Sequence, residues 1–143
     1  MTLMIYRCFA ALLVCFSLAT PALSHSKMSG SNPASGTSVG VGIDSIELVF
    51  DRAVRLTRVD LVQAPDQMDL EMMMAMMTNG EMQDLEGQIE VEIASKLPRG
   101  FVDSTRVNFE GLEHGIYMLH WIAIAQDGHT MKGDVHFAVV TPE

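Results

Sequence analysis

The clearest periodicity in the chain is the strict alternation of residues 88–94 (QIEVEIA). Ile89, Val91 and Ile93 fall on one face, and Gln88, Glu90 and Glu92 on the other. This is the signature of a strand buried on one side. Residues 45–50 (SIELVF) repeat it with Ile46, Leu48 and Phe50 inward. Residues 55–62 (RLTRVDLV) predict a second strand with Arg55, Arg58 and Asp60 in solvent, and residues 105–109 a short one. Residues 116–125 are apolar on both faces, as expected of a central strand. They run through Trp121 into an Asp127-Gly128 turn flanked by His129, and residues 134–140 close the domain.

Two stretches break the alternation. Residues 26–42 are rich in Ser, Gly, Asn and Pro, with Met28, Val39 and Val41 placed to pin a turn-rich segment to a core. Residues 64–87 carry Met68, Met72, Met73, Met74, Met76, Met77 and Met82 among Asp, Glu, Asn and Gly. Residues 70–77 can wind into a short helical turn, but their apolar groups would point all round, so the stretch reads as a long loop. About seven strands with turn signals between them predict an all-β fold, a seven-stranded antiparallel β-sandwich or Greek-key barrel of immunoglobulin-like form.

The first 24 residues have the form of a secretory signal peptide. Arg7 precedes an apolar run, and Ala22-Leu23-Ser24 places small residues at the cleavage site. Cleavage would divide the chain into residues 1–24, removed, and a domain of residues 25–143 that begins at His25 and is not anchored in a membrane. Both cysteines, Cys8 and Cys15, lie in the removed segment, so any soft metal ligand must be a methionine. Arg7 is also the only charged residue there, so the net charge of −9 becomes −10. An acidic surface of this kind disfavours nucleic acid and suits a protein that meets cations.

At a free N-terminus, the His25 α-amine and imidazole Nδ1 can chelate one ion. Asp127 and His129 would complete a tetragonal N/O set, which favours Cu(II). Each residue also has a plainer reading: His25 as an incidental first residue, Asp127-Gly128 as hairpin chemistry, and His129 as a polar loop residue. His120 and His136 sit within strands, where framework roles are commoner; His136 is kept only as an outlying candidate, and His114 reads as a solvated turn residue. Seven methionines in residues 68–82 exceed what core filling requires. Their uncharged thioethers hold Cu(I) better than Cu(II), although such a run can equally form an adaptable hydrophobic patch.

Together these residues resemble the CopC family of periplasmic copper-resistance proteins. The likeness rests on Ser31-Asn32-Pro33-Ala34-Ser35-Gly36, the strand ending at Phe50, and the pattern Gly115-x-Tyr117, Trp121, Asp127-Gly128-His129, Gly133 and Phe137. It implies a small β-sandwich or Greek-key barrel in the periplasm. It also implies Cu(II) bound by His25, Asp127 and His129, with Cu(I) in some members at the methionine loop. The expected role is a copper carrier or buffer, not an enzyme, that passes copper to a membrane or outer-membrane partner. Some members have a Glu after the early-strand Phe as a further ligand; here Asp51-Arg52 stands there, with the Asp51 side chain expected on the neighbouring face. No histidine lies between His25 and His114, so a Cu(I) site in the loop would be all-thioether. Two other functions compete with this one. They are a copper-dependent oxidative enzyme built on the N-terminal His chelate, and a methionine-rich module that docks a partner without metal.

Overall fold

The computed structural model describes residues 27–66, 68–78 and 86–142; the expected signal segment, His25 and Met82 lie outside them. The fold is built on one long strand. Two strands were expected at 45–50 and 55–62, but Asp51-Arg52-Ala53 does not end the first. The chain continues as β3, Ser45–Gln63, and changes partners along the way. Its first half lies between β1 (Met28–Asn32) and β5 (Val102–Asn108). Its second half lies between β6 (Gly115–Ala125) and the three-residue β4 (Ile89–Val91). Val54 marks the exchange, pairing with both Val102 and Ala125.

A bulge explains the unusual spacing of polar residues in β3. Leu56 faces Ala123 and Arg58 faces Ile122, so Thr57 is an extra residue. Its hydroxyl donates to the Ile122 carbonyl at 3.2 Å. An inserted residue inverts the facing of everything beyond it. Ile46, Leu48, Phe50, Val54 and Leu56 point inward before the bulge, and Leu61 after it. Arg55 and Arg58 are thereby both exposed although their spacing is odd, while Asp60 is half-buried.

The sheet order is β1-β3-β6-β7-β2, with β4 and β5 also on β3. β7 spans Thr130–Val140, four residues earlier than expected, because the tight hairpin keeps it paired with β6 as far as Ile124. Residues 26–42 contain two strands rather than a pinned turn segment: β1, and β2 (Thr37–Gly40). β2 runs parallel to β7 and supplies the one parallel pairing among the described strands. Met28 and Val39 pack on the core as expected, but Val41 is exposed. The core lies between the two halves of the sandwich: Leu48, Leu56, Leu119, Trp121, Val135 and Phe137 are among its members. Phe50 meets Trp121 edge-on, with ring centroids 5.2 Å apart.

Two further expectations hold only in part, Val91 and Ile93 packing on the core as expected. The alternating stretch 88–94 forms only β4 and an isolated bridge from Ile93 to Phe109. Ile89 is 60% exposed, because β4 pairs only with the last residues of β3. The methionine run is not a long loop throughout: Leu70–Thr78 forms α1. Asp69 caps it, its Oδ1 accepting the Met72 N–H at 2.7 Å, and Leu, Met and Ala are good helix formers. Among its described side chains Met73 is buried, 1% exposed, and Met72 is 50% exposed.

Candidate metal centre

Asp127 and His129 sit on the hairpin between β6 and β7. Its turn is a three-residue loop, 126–128. Gly128 N–H donates to the Ala125 carbonyl at 3.0 Å and Ala125 N–H to that of His129 at 2.9 Å. Gly128 has φ +87°, a conformation that side chains with a Cβ resist, so the Gly between the two candidate ligands is required by the turn. Asp127 Oδ1 accepts the His129 backbone N–H at 3.1 Å, and Oδ2 stands 3.0 Å from His129 Nδ1. Both side chains are exposed. With metal–ligand bonds of about 2.0 Å, neighbouring donors in a square-planar set stand roughly 2.8 Å apart. A carboxylate oxygen and an imidazole nitrogen at 3.0 Å already have the spacing of adjacent ligands.

The described residues contain no group of three or more His, Cys, Asp or Glu side chains able to hold a metal. The pair therefore needs a donor from elsewhere, and the expected one, His25, lies outside the described residues. The first described residue, Lys27, is held to β3. Lys27 N–H donates to Asp51 Oδ1 at 2.7 Å, and Asp51 N–H to the Lys27 carbonyl at 3.0 Å. Asp51 is thus the anchor of the N-terminal segment, a role the sequence did not disclose. It lies three residues before Val54, which pairs with Ala125 at the base of the hairpin. The start of β1 and the Asp127–His129 turn are therefore at the same end of the sandwich.

The other histidines are distributed differently. His120 Nδ1 meets Asp134 Oδ1 at 2.5 Å across β6 and β7, the framework role expected of it. His136 is buried, and its Nδ1 lies 3.0 Å from Ser35 Oγ. Burial pushes its pKa down, with Asp134 acting weakly against this. His114 is exposed and borders a cavity of about 220 Å³ with Asp66, Met68 and Asp69.

The methionines divide as well. Met73 packs with Met118 and Ala64 in a small cluster on the outer side of the sheet, with Met68 against it. Met72 faces solvent. The side chains of Met74, Met76 and Met77, and all of Met82, lie outside the described residues. Met118 is the methionine that sequence reasoning missed. It sits in a strand apolar on both faces, and only its place off the main core alternation, between Tyr117 and Leu119, distinguishes it.

The motif residues acquire physical reasons here. Gly133 faces Trp121 across β6 and β7, and a Cβ on Gly133 would lie 2.7 Å from Trp121 Cζ2. The indole occupies the space a side chain would take. Tyr117 stacks on Phe137 with centroids 5.9 Å apart and donates its hydroxyl hydrogen to the Glu113 carbonyl. A small β-sandwich with an exposed Asp/His hairpin beside its N-terminal strand is the class these features define. The family model for the CopC domain matches residues 28–140, and the chain belongs to the CopC family. No curated protein matches the chain. In fold it is similar to PcoC, a methionine rich copper resistance protein from Escherichia coli. The two share 19% identity over 82% of this chain and 100% of that one, with a TM-score of 0.56. It is likewise similar to CopC from Methylosinus trichosporium OB3b, with 16% identity over 83% of this chain and 97% of that one and a TM-score of 0.54.

Proposed function

We propose that this protein is a periplasmic copper-binding carrier or buffer serving copper resistance and homeostasis. It is exported by residues 1–24 and begins, once cleaved, at His25. The α-amine and imidazole of His25 join Asp127 and His129 around Cu(II), while the methionines of residues 68–82 take Cu(I). The observation that carries this reading is the 3.0 Å separation of Asp127 Oδ2 and His129 Nδ1 at the end of the sandwich where Lys27 is tied to Asp51. Family membership and the copper resistance named for the PcoC relative support copper as the cargo.

The protein handles this cargo by ligand exchange. A site built from a chain terminus and an exposed hairpin can be opened one ligand at a time by an incoming donor from a membrane or outer-membrane partner. The acidic surface raises the local concentration of cations. On this reading the protein acts as a carrier and not as an enzyme. The experiment is to recover the exported protein, weigh its N-terminus and record its Cu(II) electron paramagnetic resonance spectrum. An N-terminus at His25 and a nitrogen-rich tetragonal spectrum lost in His129→Ala support the reading. An uncleaved N-terminus, or a spectrum indifferent to His129, contradicts it.

A further inference from the structure

We propose that His136 Nε2 is the nitrogen ligand of a Cu(I) site completed by the thioethers of Met118 and Met73. This rests on the reading that the methionine-rich segment takes Cu(I). It changes that site's composition from all-thioether to mixed nitrogen and sulfur, and moves it from a loop to the outer face of the sheet beneath α1.

Three independent observations meet at this place. The first is the state of the imidazole. His136 is only 9% exposed, and its Nε2 is buried with no hydrogen-bond partner. Buried polar atoms nearly always have one. Its other nitrogen is held: Ser35 Oγ lies 3.0 Å from Nδ1 and accepts the His136 backbone N–H at 3.3 Å. In the tautomer where Ser35 Oγ also accepts Nδ1–H, the lone pair is on Nε2. A metal-binding imidazole is typically oriented in this way, with one nitrogen donating to an oxygen and the other presented to the ion.

The second observation is register. His136 stands directly opposite Met118 across β6 and β7, and directly opposed side chains lie on the same face, with Cβ atoms about 5 Å apart. That face is the outer one: the neighbours Val135 and Phe137 belong to the main core, as do Tyr117 and Leu119, whereas His136 and Met118 do not. The third observation is the helix. α1 places Met73 in one small buried cluster with Met118 and Ala64, with Met68 packed against it. β6, β7 and α1 thus place two thioethers and a buried imidazole on one outer face of the sheet.

The chemistry of the set selects the ion. Two thioethers and one neutral imidazole bring no charge, which suits a soft monovalent ion over a divalent one. A buried site also shields Cu(I) from oxidation better than exposed residues such as Met72 can.

The test uses the mature protein labelled with ¹⁵N at histidine, titrated anaerobically with Cu(I), and in parallel with Ag(I) as a diamagnetic soft-ion probe. Cu(I) affinity is measured by competition with a chromophoric chelator. The inference expects the His136 Nε2 resonance to move by tens of ppm on binding while Nδ1 moves little. It expects Met118→Leu, Met73→Leu and His136→Asn each to weaken Cu(I) binding by about tenfold or more, with Cu(II) affinity at the hairpin unchanged. If Cu(I) does not bind the wild-type protein, the methionine reading fails and this inference with it. If Cu(I) binds but Nε2 does not move and Met118→Leu has wild-type affinity, the methionine reading stands and the role of His136 is overturned. The resonance is read on the wild-type protein, so the outcome does not depend on the folding of any variant.

Discussion

Gly133 is the residue on which the molecule has least latitude. A methyl group there would meet the Trp121 indole at 2.7 Å, and Trp121 is itself fixed by the Phe50 ring. Neither the ring nor the two backbones can yield far. Gly133→Ala should cost about 1–3 kcal/mol, the usual range for overpacking. The measurement is urea denaturation followed by the fluorescence of Trp121, the chain's one tryptophan. An unchanged midpoint would show that the indole has room to move. Asp127, Gly128 and His129 were legible in the sequence because their chemistry is local: three consecutive residues make both the turn and the donor pair. Met118 and His136 were not, because eighteen residues separate them and only the register of β6 and β7 makes them neighbours. The anchoring role of Asp51 was not legible for a related reason, although its side chain does lie on the face opposite Phe50, as expected. Its partner is a backbone N–H, that of Lys27, which leaves no trace in side-chain pattern.

Among the elements, the β6–β7 hairpin was the easiest to foresee, since two apolar runs flank an Asp-Gly turn. β3 was harder. Residues 51–53 interrupt its alternation at the point where it leaves one pair of neighbours for another, and a pattern search reads such an exchange as an end. α1 was hidden by its composition. Methionine on every side erases the amphipathic signal, and the helix is recognised instead by the Asp69 cap. Stretch 88–94 shows the converse: its alternation is perfect, but it meets only the end of β3 and, at Ile93, Phe109. Alternation permits a strand without guaranteeing a partner. Asp69→Ala should weaken α1 by about 1 kcal/mol, the usual value of an N-cap. Hydrogen exchange should show faster loss of protection at the Met72 and Met73 amides, with the β6–β7 ladder unaffected. Equal protection at both amides would remove Asp69 from the account of why the helix forms.

At the scale of the whole molecule, the two proposed sites are well separated. Met118 precedes Ala125 by seven residues, about 23 Å along β6, so one ion cannot be shared between the hairpin and the helix. Each site is expected to exchange copper with partners separately. The Cu(II) end depends on how the N-terminal segment is held. Asp51→Ala removes the carboxylate that fixes Lys27 and should lower Cu(II) affinity by about tenfold, the low end of what one charged hydrogen bond is worth. Isothermal titration would show this, and unchanged affinity would mean that His25 reaches the hairpin without help.

The central claim is that His25 binds copper as a chain terminus, through its amine and its ring together. Acetylating the α-amine of His25 keeps its imidazole and removes only the chelate. Cu(II) affinity, measured by competition for the free and the acetylated chain starting at His25, should fall on acetylation by about a hundredfold or more, the equivalent of roughly 3 kcal/mol. Equal affinities in the two chains would contradict the account.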